Sequence, residues 1–110
     1  MTDIVRIFAA LADETRFAMV EHMLKEGEQP AGNLVARVNM TAPAISRHLK
    51  VLRQAGMIRQ RAEGTRRLYS VRPEALQTIS GWTMDHSAFW EASLDRLSAF
   101  MALDKESNRD

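Results

Sequence analysis

Between Thr41 and Arg72 the hydrophobic period changes once, and it changes at Gly56. Before the glycine, Ile45, Leu49 and Leu52 recur at i, i+4 and i+7, the apolar stripe of a helix. After it, Ile58, Gln60 and Ala62 alternate with Arg59, Arg61 and Glu63, the period of a strand. Leu68, Tyr69 and Val71 supply β-propensity for a return strand, with a turn at Glu63-Gly64-Thr65. Thr41 can cap the helix, Pro43 is tolerated in its first turn, and Gly56 suits the position just past its end. The expectation is a helix over 41–55 and a hairpin over 57–72. A hairpin alone is marginal, so this one must rest on its neighbours.

The face opposite the apolar stripe carries Pro43, Ser46, Arg47, Lys50 and Gln54. Small and polar residues stand near its start, with long cations beside them. That suits entry into a DNA major groove, where small residues let the backbone approach and cations reach phosphates or guanine edges. The net charge of +1 conceals a segregation. Residues 41–72 hold eight Lys/Arg against Glu63 alone, and the rest of the chain holds seven against thirteen Asp/Glu. Such a concentration exceeds what solubility needs and forms a footprint for a polyanion, here double-stranded DNA.

The preceding chain reads as three short helices. Ile4, Ile7, Phe8 and Leu11 make the first apolar face, over 3–11. Asp13 looks like the cap of a second helix ending near Lys25, with Met19, Val20, Met23 and Leu24 as its core stripe. Gly27 and Pro30 mark a break. A third helix, about Ala31 to Val38, offers Leu34, Val35 and Val38. Asn39 and Met40 turn into Thr41, giving a helix-turn-helix. After the hairpin, Pro73 opens a last helix over 74–103. Leu76 and Ile79 begin its apolar face, and Trp90, Leu94, Leu97 and Met101 continue it. Gly81 could divide it, and the polar tail from Lys105 should fray.

Several functions are disfavoured. There is no cysteine, which removes disulfides and thiolate metal sites. His22, His48 and His86 fall on three different helices, so no metal is expected, and no cofactor motif is seen. Ser46 and His48 face apart on one helix, so no catalytic pair forms and an enzyme is not expected. The apolar run Phe8 to Ala12 is too short for a signal segment or membrane span, which gives a cytoplasmic expectation with no membrane partner. The fold expected is one mainly α domain over 1–110 with a β-hairpin wing. It runs as four helices, two strands and a last helix, a winged helix-turn-helix.

The strings LADETR at 11–16, SRHLKVLRQAGMIRQRAEGTRRLYSV at 46–71 and FWEASLDRL at 89–97 resemble the ArsR family of bacterial transcriptional repressors. The resemblance runs from about Ile4 to Leu103 and is most specific from HLKVLRQAGMI to RRLY. It implies a homodimer, paired through the first and last helices, on an imperfect palindromic operator in a promoter. Carried over by position, it assigns groove reading to Thr41, Ala42, Pro43, Ser46 and Arg47, and phosphate or wing contacts to Lys50, Arg61, Arg66 and Arg67. Tyr69 matches the family's strand aromatic, with packing as its role. Many relatives sense metals through cysteines or Asp/His sets that are absent here, so the likeness is to a branch lacking that site.

The apolar residues also exceed what a 110-residue core needs, which points to a partner surface. Ile4, Phe8, Phe89, Trp90, Leu94, Leu97 and Met101 are its expected members. His48, at the edge of the Ile45 stripe, reads as a packing histidine, Arg16 as the ion-pair partner of Asp13, and the methionines as core filler. Trp82, Phe89 and Trp90 read as helix-packing aromatics before a ligand pocket. Two rivals stay open: a sensor repressor with an unknown small-molecule effector that is not a metal, and a winged helix used as a protein-interaction module.

Overall fold

The structure, a computed structural model, describes residues 3–37 and 39–107, of which 35–37, 106 and 107 are described by their backbone alone. The elements are α1 (Asp3–Leu11), α2 (Glu14–Glu26), β1 (Gln29–Pro30), α3 (Ala31–Arg37), α4 (Ala42–Gln54), β2 (Ile58–Glu63), β3 (Arg66–Val71), α5 (Pro73–Asp85) and α6 (Ser87–Ser107). This is the expected helix-turn-helix with a wing. Packing divides it into a unit through Thr78 and a unit from Ile79. No helix among the described residues is long and apolar enough to cross a membrane.

The core of the first unit is the helical stripe read from the sequence. Ile45, Leu49 and Leu52 of α4 are buried with Ile7, Met19, Val20, Met23, Leu34, Met57, Ile58, Leu68, Tyr69 and Ala75. In α1 the buried pair is Ile7 and Ala10, and Phe8, expected on the partner surface, is exposed. One residue differs from expectation: in α2, Leu24 is exposed. Leu24 stands about 100° round the helix from Met23, at the rim of the stripe rather than within it. Val38 and the side chain of Val35 lie outside the described residues.

Asp13 caps α2, its Oδ1 accepting the Arg16 backbone N–H at 2.9 Å. Thr41 caps α4, its Oγ1 accepting the Ala44 N–H at 3.3 Å. The other end of α4 closes in a Schellman turn. The Gly56 N–H reaches the Arg53 carbonyl, and the Met57 N–H reaches the Leu52 carbonyl, both at 3.0 Å. Leu52 and Met57 are fully buried, the apolar contact that accompanies such a turn. Gly56 holds φ +78° there. Gly56→Ala should cost about 1–2 kcal/mol because a Cβ is disfavoured at that angle. The nearest atom it would meet is Arg72 Nη1 at 3.3 Å, the movable end of a side chain, so the backbone angle dominates. Thermal unfolding checks this, and a variant melting with the parent would disprove it.

The sheet has three strands in the order β1-β3-β2, all antiparallel. Gln29 pairs Tyr69 and Pro30 pairs Leu68, so the supposed break at Pro30 is also a short edge strand, where proline is tolerated. Glu63 pairs Arg66 across the two-residue turn Gly64-Thr65, with Gly64 at φ +62°. Glycine first with positive φ, and no positive φ at Thr65, is the type II′ pattern.

The expected last helix, which Gly81 could have divided, is divided at His86 instead. The His86 N–H turns to the Thr83 carbonyl at 3.1 Å instead of continuing the helix. Its ring Nδ1 takes the Trp82 carbonyl at 2.7 Å, the acceptor that the backbone gave up. The Trp82 and His86 rings lie 4.8 Å apart. Gly81 stays inside α5, at the ordinary cost of a helical glycine. The tail is helical through Ser107, so fraying from Lys105 is corrected, and 108–110 lie outside the described residues.

Candidate nucleic-acid interface

Burial of Ile45, Leu49 and Leu52 turns the opposite face of α4 outward. Thr41, Ala42, Pro43, Ser46, Arg47 and Lys50 are all exposed, as the sequence pattern required. So are Arg53 and Gln54, which extend the Ser46–Lys50 row by one turn. The helix is set against its neighbours by a polar joint. Arg16 Nε donates to the Ala10 carbonyl at 2.6 Å, and Arg16 Nη1 lies 3.3 Å from His48 Nδ1. Asp13 stands 3.8 Å from Arg16 and 4.0 Å from His48. The Arg16 backbone N–H chiefly, and the Arg16 guanidinium beside it, hold the Asp13 carboxyl below its ordinary range. Arg16 and His48 are thus occupied with structure, joining the first two helices to α4.

Strand parity sorts the wing. Residues directly opposite in an antiparallel pair share a face. Ile58, Gln60 and Ala62 therefore share one face with Val71, Tyr69 and Arg67, and Arg59, Arg61 and Glu63 share the other with Ser70, Leu68 and Arg66. The neighbouring arginines Arg66 and Arg67 point to opposite sides.

The side facing away from α4 is neutralised. Arg61 donates to both oxygens of Glu28, at 2.7–3.0 Å, and to Glu63 at 3.1 Å. Arg66 stands 3.8 Å from Glu63. The hydrogen bonds from Arg61 lower the Glu28 carboxyl, and those same bonds raise the guanidinium. At the foot of the hairpin, Arg59 and Arg72 share Glu74 at 3.4 and 3.7 Å.

The side toward α4 is not neutralised. Among the described residues, the side chains of Arg47, Lys50, Arg53 and Arg67 make no hydrogen bond or ion pair. Lys50, Arg53 and Arg67 line one cleft of about 390 Å³ with Ser46, Leu49, Gln54, Gln60 and Tyr69. The eight cations of 41–72 thus divide into four held by carboxylates and four free on the recognition side. Sequence reasoning assigned Arg61 and Arg66 the same work as Arg67, and the structure brings only Arg67 into the cleft. It passed over Arg53, which the i+7 spacing from Ser46 could have revealed, and Gln60 and Glu28, which carry no local signal. Tyr69 is buried, in keeping with a packing role.

The expected partner residues are open in the single chain. Ile4 is half-buried and Phe8 exposed on α1. On α6, Phe89, Trp90, Leu94, Leu97 and Met101 are all exposed. At about 100° per residue they fall within an arc of about 140°. Among the described residues no three His, Asp or Glu side chains gather as a metal site.

The family described as "Bacterial regulatory protein, arsR family" matches residues 13–60. The HTH-type transcriptional regulator Rv2034 of Mycobacterium tuberculosis is 39% identical over 89 residues, covering 81% of this chain and 79% of that one. The transcriptional repressor SdpR of Bacillus subtilis is 33% identical over 79 residues, covering 72% and 87%. Among solved structures, an ArsR-like transcriptional regulator from Rhodococcus sp. RHA1 superposes with a TM-score of 0.70 at 26% identity, covering 89% and 92%. A homodimeric winged helix-turn-helix DNA-binding domain from Mycobacterium bovis shares the fold, with a TM-score of 0.62 at 24% identity, covering 78% and 82%. The free cations on α4 and the wing and these likenesses agree: the chain belongs to the ArsR family of winged helix-turn-helix, DNA-binding transcriptional regulators, and is not an enzyme.

Proposed function

We propose that the chain is a homodimeric repressor that occupies an imperfect palindromic operator and thereby blocks a promoter. Residues Thr41, Ala42, Pro43, Ser46 and Arg47 read base edges from the exposed side of α4. Lys50 and Arg67 hold phosphate on either side of the cleft. Arg61 and Arg66 reach phosphate only by leaving Glu28 and Glu63, so they serve the wing's shape first. The dimer surface comes from Ile4 and Phe8 of α1 and from Phe89, Trp90, Leu94, Leu97 and Met101 of α6. The observation that carries the reading is the sorting of cations, since those left without carboxylates are the ones on the recognition side. Repression is supported by the name of the Bacillus relative, and pairing by the homodimer described for the Mycobacterium bovis domain.

The test is fluorescence anisotropy with a duplex from the promoter of its own gene and a scrambled duplex of equal length. Binding should favour the promoter by at least about a thousandfold, the lower end for specific regulators. A promoter-fused reporter should fall when the protein is expressed. Equal affinity for the two duplexes would remove sequence reading from the proposal, and a rising reporter would make the protein an activator.

A further inference from the structure

Gln60 stands in the cleft between α4 and the wing, and its Oε1 is buried with no hydrogen-bond partner among the described residues. Buried acceptors are nearly always satisfied, because leaving one unpaired forfeits its hydration without return. The cleft offers donors in abundance. Ser46, Lys50, Arg53 and Arg67 line it, and no carboxylate does. Arg67 lies on the same sheet face as Gln60, diagonally across the strand pair, within reach of long side chains. The buried Tyr69, directly opposite Gln60, lines the cleft beside it.

We propose that Gln60 is a positioning residue of the DNA interface, its side-chain carbonyl being the neutral acceptor that orients Lys50 and Arg67 toward phosphate at the mouth of this cleft. The proposal rests on the reading of this face as the DNA-binding surface. Long cations lose rotamer freedom when phosphate fixes them, and a buried acceptor left unpaired in the free protein offsets that loss by taking one of their N–H groups as they engage. A carboxylate would orient them equally well but would cancel a charge the DNA needs. The opposite face of the same hairpin shows that alternative, where Glu28 and Glu63 hold Arg61. An amide orders the cations and leaves their charge intact. The unpaired acceptor is then a cost to the free protein that DNA binding recovers.

The test compares the full chain with Gln60→Leu and Gln60→Glu in thermal unfolding and in binding to promoter and scrambled duplexes across a salt series. Gln60→Leu should melt at or above the parent temperature, since the unpaired acceptor is gone. It should nonetheless bind both duplexes about tenfold more weakly, the scale of one lost hydrogen bond to a charged group. Gln60→Glu should make the slope of log K against log salt shallower by about 1, because its carboxylate takes one cation away from phosphate. Parent affinity in Gln60→Leu overturns the proposal, and so does weaker binding that merely follows a lower melting temperature. Lys50→Ala and Arg67→Ala separate the two levels of failure. If they weaken binding and Gln60→Leu does not, only the role of Gln60 falls. If neither weakens binding, the cleft is not the DNA surface and both readings fall.

Discussion

Leu94→Asp is expected to convert the proposed homodimer to a monomer and to weaken promoter binding by about a hundredfold or more. Leu94 is 58% exposed in the single chain, and its neighbours Trp90 and Leu97 are 49% and 54% exposed. An aspartate there meets water in the monomer and costs the fold little. In a dimer closed by this face the same carboxylate is desolvated beside apolar side chains with no partner, which is strongly unfavourable. The loss of affinity follows from joining two binding modules. A dimer places its second recognition helix at high effective concentration over the second half-site, a gain of 10²–10⁴ that a monomer forfeits, as an order of magnitude. Sedimentation at micromolar concentration and anisotropy on the same samples check both halves. A parent that sediments as a monomer would remove the homodimer, and a monomeric variant that binds with parent affinity would remove its importance for DNA.

Arg47→Ala and Arg67→Ala should fail in different ways. Arg47 lies in the first half of α4, the part of a recognition helix that meets base edges. Losing a base-reading arginine costs about 1–3 kcal/mol and relaxes choice at one base pair. Arg67 projects from the wing on the α4 side, and a phosphate contact there holds every sequence alike. Its loss should weaken promoter and scrambled duplexes together and reduce the salt slope by about 1. Arg66→Ala, on the opposite face beside Glu63, should change binding least of the three. A salt series on both duplexes for each variant distinguishes these patterns. If Arg67→Ala abolished the preference for promoter and Arg47→Ala left it intact, the wing would be the reader and α4 the support.

The recognition helix, its two caps and the hairpin were legible because each is written in local spacing. Ile45, Leu49 and Leu52 fall on one side of any helix with 3.6 residues per turn, and so the cations opposite must face out. Gly56 and Gly64 mark turns because positive φ excludes most other residues. The sequence also placed the cationic concentration between Thr41 and Arg72, since charge is additive along a chain.

What only the tertiary structure decided was which of those cations remain free. Glu28, just before β1, meets Arg61 across a separation of 33 residues, and only the strand order β1-β3-β2 brings them together. A two-residue strand such as β1 has no alternation to read. The break at His86 rested on a side chain competing with its own backbone for the Trp82 carbonyl, while Gly81, the residue weak in helix propensity, remained helical. Spacing along the chain determines which way a side chain points. Whether it meets a partner there depends on residues far away in sequence, and so the division of the arginines between a neutralised face and a free one belongs to the fold.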